Sequence, residues 1–269
     1  MKLPVERWGR GPTRALFLHG FTGSAESFSH LERLLGDVLT ATCVDLPGHR
    51  GAPLPKAAGP EGFAEVIESL GELLRESPVL IGYSQGARLA LATAARFPGR
   101  VERLVLESGA PGIRRRAERS RRRAADEAMA SLIRERGVDA FVERWEKLPL
   151  FAGLQALPEP DRAALRERRA GHTADGLAGA LTTLGQGVQP DLWPALPGLR
   201  VPTLVLSGAK DVKYTRLARR MVAELPLGWR VTFPGVGHAP HLECPEAYAG
   251  EVRSFLAAPW LVEPVEAGP

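Results

Sequence analysis

The sequence has no asparagine, three methionines and two cysteines among its 269 residues. Cys43 and Cys244 stand far apart, without the spacing of a disulfide framework or a metal site. The lack of asparagine and methionine is a bias that base composition and heat adaptation each produce. No stretch reaches the ~18 consecutive apolar residues of a membrane span. Met1 to Gly11 carries charge and proline but no apolar run, so a secretory leader is not expected and a cytoplasmic enzyme fits. Acidic residues are not short overall, and the formal charge is only +4. The arginines are nonetheless uneven, with Arg114, Arg115, Arg116, Arg119, Arg121, Arg122 and Arg123 in one run. A nucleic-acid platform would interleave aromatics with such a run, and none occurs there. Most of the run reads as solvated helix surface, with pairs to Glu118 and Asp126. Internal repeats and low-complexity tracts are absent as well.

What is present is enough apolar residue, 44% of the chain, for one large core carrying an insertion. Ala15–Leu18, Leu39–Val44, Val79–Tyr83, Val101–Glu107, Val201–Leu206 and 230–233 are short apolar runs and read as strands. Helical spacing fills the gaps at Ser24–Leu35, Phe63–Leu74, 85–96, 214–224 and 245–256. Strands that are apolar nearly throughout, alternating with helices, imply a parallel sheet covered on both faces. The alternation stops at Gly109. Stretches 115–136, 138–147, 161–170 and 174–186 are helical, and no convincing strand lies between 112 and about 190. The expected division is therefore an α/β core of 1–110 and 196–269 with a helical cap of 111–195. Insertions at strand ends commonly cover a site. The proline-rich tail from Pro259 is expected to be loosely held.

The chain is organised around Gly82-Tyr83-Ser84-Gln85-Gly86. A strand, a tight turn and a helix meet here with a serine at the apex. The two glycines let strand and helix crowd together, and the strained turn holds the hydroxyl out at the positive end of the helix. A serine hydroxyl needs a neighbour to take its proton, usually a histidine oriented by a carboxylate. Ser207-Gly208-Ala209-Lys210-Asp211 and Gly235-Val236-Gly237-His238 each follow a strand. Asp211 alone could be a helix N-cap, and His238 alone a loop histidine. In the order Ser84, Asp211, His238 they make a triad. His241 is a nearby alternative, but it leads toward the last helix. His19-Gly20-Phe21-Thr22-Gly23 follows the first strand. Its turn could aim the backbone N–H of Phe21 above Ser84, with the N–H of Gln85 as a second donor. The His19 ring itself reads as a brace for the loop.

Together HGFTG, VDLPGH, GYSQG, SGAKD and VGH resemble the α/β-hydrolase superfamily over the chain outside the cap. Within it the sequence resembles the 2-succinyl-6-hydroxy-2,4-cyclohexadiene-1-carboxylate synthases of menaquinone biosynthesis. That closer likeness lies in Tyr83 and Ser84 with Arg88, in 143–151 around Trp145, in Val188-Gln189-Pro190-Asp191-Leu192, and in Asp211-x-Lys213-Tyr214. Ala87 departs from it, since a second glycine often precedes the arginine. The resemblance implies a lyase that eliminates pyruvate from a tricarboxylate, with no cofactor and no metal. It also implies substrate contacts from Tyr83, Arg88, Arg122, Trp145 and Arg169. Arg88, four residues after Ser84, would point back toward the serine, where a guanidinium suits a carboxylate. Trp145 could equally be a core residue of the cap. A small-molecule polycarboxylate is the expected partner, neither nucleic acid nor membrane is, and a monomer or homodimer is expected. A carboxylic-ester or carbon–carbon-bond hydrolase on the same triad is the alternative.

Overall fold

The computed structural model of the protein describes residues 1–259. The expected loose tail lies, from residue 260 onward, outside the described residues.

Among the described residues seven strands form one sheet in the order β1-β3-β2-β4-β5-β6-β7. They are β1 (Val5–Trp8), β2 (Thr13–Leu18), β3 (Leu39–Val44), β4 (Val79–Tyr83), β5 (Arg103–Glu107), β6 (Thr203–Gly208) and β7 (Gly228–Phe233). All pairings are parallel except that of β1 with β3. Burial on both faces explains the continuous apolar runs. In β2, Leu16 and Leu18 enter one core while Ala15 and Phe17 enter the other. The period-two alternation of a strand thus feeds two apolar layers rather than one.

The helices are α1 (Glu32–Leu35), α2 (Gly59–Leu73), α3 (Gln85–Arg96), α4 (Arg116–Glu146), α5 (Glu159–Ala170), α6 (Ala174–Leu184), α7 (Val212–Glu224), α8 (Pro240–Glu243) and α9 (Pro245–Ala257). Side chains of α2, α3 and α7 fill the first layer, and those of α1 and α9 fill the second. Between β5 and β6 lie three helices, α4 to α6, and no strand among the described residues. These helices have a small core of their own, built from Ile133, Phe141, Val142, Leu177 and Leu181. Gly137, at φ 79°, breaks α4 where the sequence shows a boundary between two helices.

Two local expectations need correction. Ser24–Leu35 is not one α-helix: a 3₁₀ turn over Ala25–Leu31 precedes a single α turn. There Ser27 folds back to accept the Ser24 N–H at 2.9 Å, which tightens the first turn. The charged N-terminal segment contains a strand, β1, at the sheet edge. Only Trp8 of its four residues is buried, so it carries little hydrophobic pattern.

Candidate active site

Ser84 sits between β4 and α3 at φ 51°, ψ −105°, a conformation that a residue with a Cβ adopts only under strain. Tight packing enforces it. A Cβ on Gly82 would come 2.5 Å from the Gly86 carbonyl carbon, and one on Gly86 would come 1.9 Å from the Leu18 oxygen. The Ser84 N–H donates to Glu107 O at 2.8 Å, and the Arg88 N–H donates to Ser84 O at 3.1 Å. The turn is therefore tied to β5 on one side and to its own helix on the other. Ala87 fits because residue 109 is glycine, and a Cβ there would stand 2.7 Å from that of Ala87.

The structure brings Ser84, His238 and Asp211 into one hydrogen-bonded chain. Ser84 Oγ lies 3.0 Å from His238 Nε2, and His238 Nδ1 lies 2.5 Å from Asp211 Oδ2. With Nδ1–H donating to the carboxylate, Nε2 is left to accept the serine proton. Asp211 also caps α7, its Oδ1 accepting the Tyr214 N–H at 3.2 Å. The two Asp211 oxygens therefore make different contacts: one caps the helix and the other accepts from the imidazole. Glu243 holds the backbone on either side of His238, accepting from Gly237 N–H at 2.7 Å and Ala239 N–H at 3.1 Å. His241 does not reach Ser84. Its Nδ1 and backbone N–H both donate to Glu107 Oε1, at 2.7 and 3.1 Å.

The loop bearing Phe21 is pinned by three neutral histidines. Thr22 takes a positive φ of 67°. Its N–H donates to His49 Nε2 at 3.2 Å, and its carbonyl accepts from His172 Nε2 at 3.0 Å. His19 Nε2 accepts the Leu46 N–H at 3.0 Å while Nδ1 donates to Gly20 O at 2.7 Å, so this ring is a brace. Burial drives the His19 pKa down to about 3, and it also lowers those of His49 and His172. The backbone N–H groups of Phe21 and Gln85 donate to no protein acceptor among the described residues. Both residues line the cavity in front of Ser84.

That cavity holds about 290 Å³. Its wall includes Arg88, Arg122, Arg168, Arg169 and Lys213, and no carboxylate among the described residues. Arg88 is 6% exposed, and the only hydrogen-bond partner of its guanidinium among the described residues is Gln189 Oε1, at 3.3 Å. Burial depresses its pKa from 12.5 to about 10. Arg122 pairs with Asp126 at 2.8 Å and donates to Gln186 Oε1 at 3.0 Å. Gln186 in turn donates to the Tyr214 hydroxyl at 2.9 Å. A line of contacts thus runs from α4 through Gln186 to the residue whose amide caps on Asp211. Arg169 is held by Glu146 at 3.1 Å and lies 5.4 Å over the Phe151 ring. Trp145 lines the cavity and also packs on Phe21, Phe141 and Phe151, so the pocket and core alternatives coincide. Tyr83 stacks near His238 and His241, at 5.5 and 4.5 Å between centroids. Burial, with Glu107 nearby, raises its phenol well above the ordinary range.

Arg168, Gln186 and Tyr214 are cavity residues that sequence reasoning did not single out as site residues. Arg168 adjoins Arg169 with no pattern to rank one above the other. Gln186 stands just outside the motif at 188–192. Tyr214 belonged to the motif that carried the resemblance, and this was its only signal.

A sheet of this order, a strained serine after its fourth strand and an imidazole and carboxylate from later strand ends define a class. The chain belongs to the alpha/beta hydrolase family, whose model matches residues 15–251. Within that family its relatives are specific. A provisionally assigned 2-succinyl-6-hydroxy-2,4-cyclohexadiene-1-carboxylate synthase of Bacillus subtilis (strain 168) is 36% identical over 245 residues, covering 90% of this chain and 89% of that protein. A protein of that name from Serratia proteamaculans (strain 568) is 32% identical, with 91% and 93% covered. Among solved structures, MenH from S. aureus superposes with a TM-score of 0.87 at 30% identity, covering 94% of this chain and 97% of that one. A malate-bound thermophilic esterase from Thermogutta terrifontis gives 0.80 at 25% identity, with 94% and 92% covered. No helix among the described residues is long and apolar enough to cross a membrane.

Proposed function

We propose that the protein is a 2-succinyl-6-hydroxy-2,4-cyclohexadiene-1-carboxylate synthase, a carbon–oxygen lyase of menaquinone biosynthesis. Its substrate would be 2-succinyl-5-enolpyruvyl-6-hydroxy-3-cyclohexene-1-carboxylate. One observation carries the reading beyond the names of the relatives. Among the described residues the Ser84 cavity is walled by five cations and no acid, and the Arg88 guanidinium is buried there opposite only an amide. A buried cation without a carboxylate is costly, and an anionic ligand relieves that cost. The substrate carries three carboxylates, whereas a neutral ester would use none of these charges.

The chemistry follows from the chain of hydrogen bonds. Ser84 Oγ removes the ring proton alpha to the succinyl ketone as its own proton passes to His238 Nε2. Asp211 steadies the resulting imidazolium. The electron pair moves onto the ketone oxygen, where the Phe21 and Gln85 amides receive the developing enolate; such a donor is worth roughly 3–4 kcal/mol in the transition state. The enolate collapses through the ring double bond and expels the enolpyruvyl oxygen. The expelled pyruvate enolate takes a proton back from the Ser84–His238 relay at its methylene carbon and leaves as pyruvate, the cyclohexadiene remains, and no acyl-enzyme forms. Tyr83, Arg88, Arg122, Arg169 and Trp145 hold the substrate, with residues 111–195 as a cap over it. The reaction takes place in the cytoplasm, in a monomer or homodimer.

The test offers the purified protein two substrates, the enolpyruvyl tricarboxylate and a neutral aryl ester. Fast pyruvate release from the first with slow cleavage of the second is expected. Fast ester cleavage without pyruvate would make the protein an esterase on the same three residues.

A further inference from the structure

Behind the wall of the Ser84 cavity opens a second cleft of about 590 Å³. Gln186 and Lys213 line both spaces, so these two polar side chains form part of the partition between them. The arginine run that opens α4 reaches this cleft. Arg114 lies 4.8 Å and Arg220 4.6 Å from the centre of the Trp193 ring. The indole is fixed, its Nε1–H donating to Gly112 O at 3.2 Å. Among the described residues, Arg114, Arg220 and Lys213 form no ion pair with a carboxylate. Among the described residues Glu118 is the single acid lining the cleft, and it already faces Arg115 at 3.3 Å.

Arg114, Lys213 and Arg220 are exposed and of one sign, so the cleft gathers positive charge that the quadrupole of one aromatic ring offsets only in part. A carboxylate in the cleft would meet that charge through planar, charge-assisted hydrogen bonds. We propose that the cleft is a second anion site, an antechamber that takes a di- or tricarboxylate on its way to or from the Ser84 cavity. What travels through it rests on the polycarboxylate reading above; anion binding in the cleft does not.

The experiment is calorimetric titration of citrate into the full-length protein at low salt. Wild type is expected to bind two citrates. The double variant Arg114→Gln/Arg220→Gln should weaken one site by about tenfold or more, the loss of two charged contacts, and leave the other unchanged. Arg88→Gln should do the reverse. Arg219→Gln, an exposed neighbour outside the cleft, should change neither. The absence of any citrate site that the double variant weakens, or an equal loss in Arg219→Gln, would overturn the proposal. If only Arg88→Gln fails to act, the cleft stands and the polyanion reading of the Ser84 cavity falls.

Discussion

Arg88→Met separates a residue kept for its ligand from one kept for the fold. In the free protein Arg88 is 6% exposed and its guanidinium hydrogen-bonds only to Gln189 among the described residues. Its pKa falls from 12.5 to about 10, which corresponds to a penalty on the order of 3 kcal/mol for the buried charge. Methionine removes that penalty and roughly keeps the volume, but it leaves the Gln189 oxygen unpaired at a cost of ~1–3 kcal/mol. The free variant should therefore be as stable as wild type or more stable, by up to about 2 kcal/mol. Bound substrate would lose a guanidinium–carboxylate pair worth ~1.5–3 kcal/mol per charged hydrogen bond. With two such bonds, kcat/KM for pyruvate release should fall by roughly 10²–10⁴. Thermal melting without ligand and a coupled pyruvate assay measure the two sides. A variant that melts several degrees lower yet keeps its kcat/KM would refute the reasoning, since Arg88 would then serve the fold.

Three further outcomes are expected. Ser84→Gly should be more stable than Ser84→Ala by about 1 kcal/mol in urea unfolding, because glycine relieves the positive φ at residue 84 by more than its chain entropy costs; equal stability would show that the turn is unstrained. Glu243→Gln can accept only one of the two N–H groups flanking His238, so kcat should drop roughly 10–100-fold with KM unchanged; unchanged kcat would remove Glu243 from the positioning of the imidazole. Stability should fall as pH drops below 6.5. His19 is neutral and buried with a folded pKa of about 3, so the unfolded chain binds its proton first, and the loss grows from pH 6.5 down to about 3. At pH 4.5 this histidine alone contributes a loss of about 3 kcal/mol, which His19→Gln should abolish; a variant with the wild-type pH slope would contradict the neutral brace.

Much of this was legible in the chain because local chemistry and fold coincide there. The strand Val79–Tyr83 and the helix Gln85–Arg96 have the ends that periodicity gives them, since the strand is apolar throughout and the glycine turn punctuates it. The helical block between β5 and β6 was visible as a failure of alternation, and the break at Gly137 as a change of register. Long-range polar pairing was not visible. Nothing in sequence joins Arg88 to Gln189, 101 residues on, or Glu107 to His241, 134 residues on. Those partners are brought together by the sheet order, which local pattern does not encode. The edge strand β1 escaped notice because an edge buries little and so carries few apolar residues.

The most direct measurement is pyruvate formed from the enolpyruvyl tricarboxylate by wild type and by Ser84→Ala, followed through reduction to lactate. One pyruvate per substrate consumed by wild type, with the variant near background, is the expected result. No pyruvate from wild type, or equal release by the variant, would contradict a serine-relayed elimination.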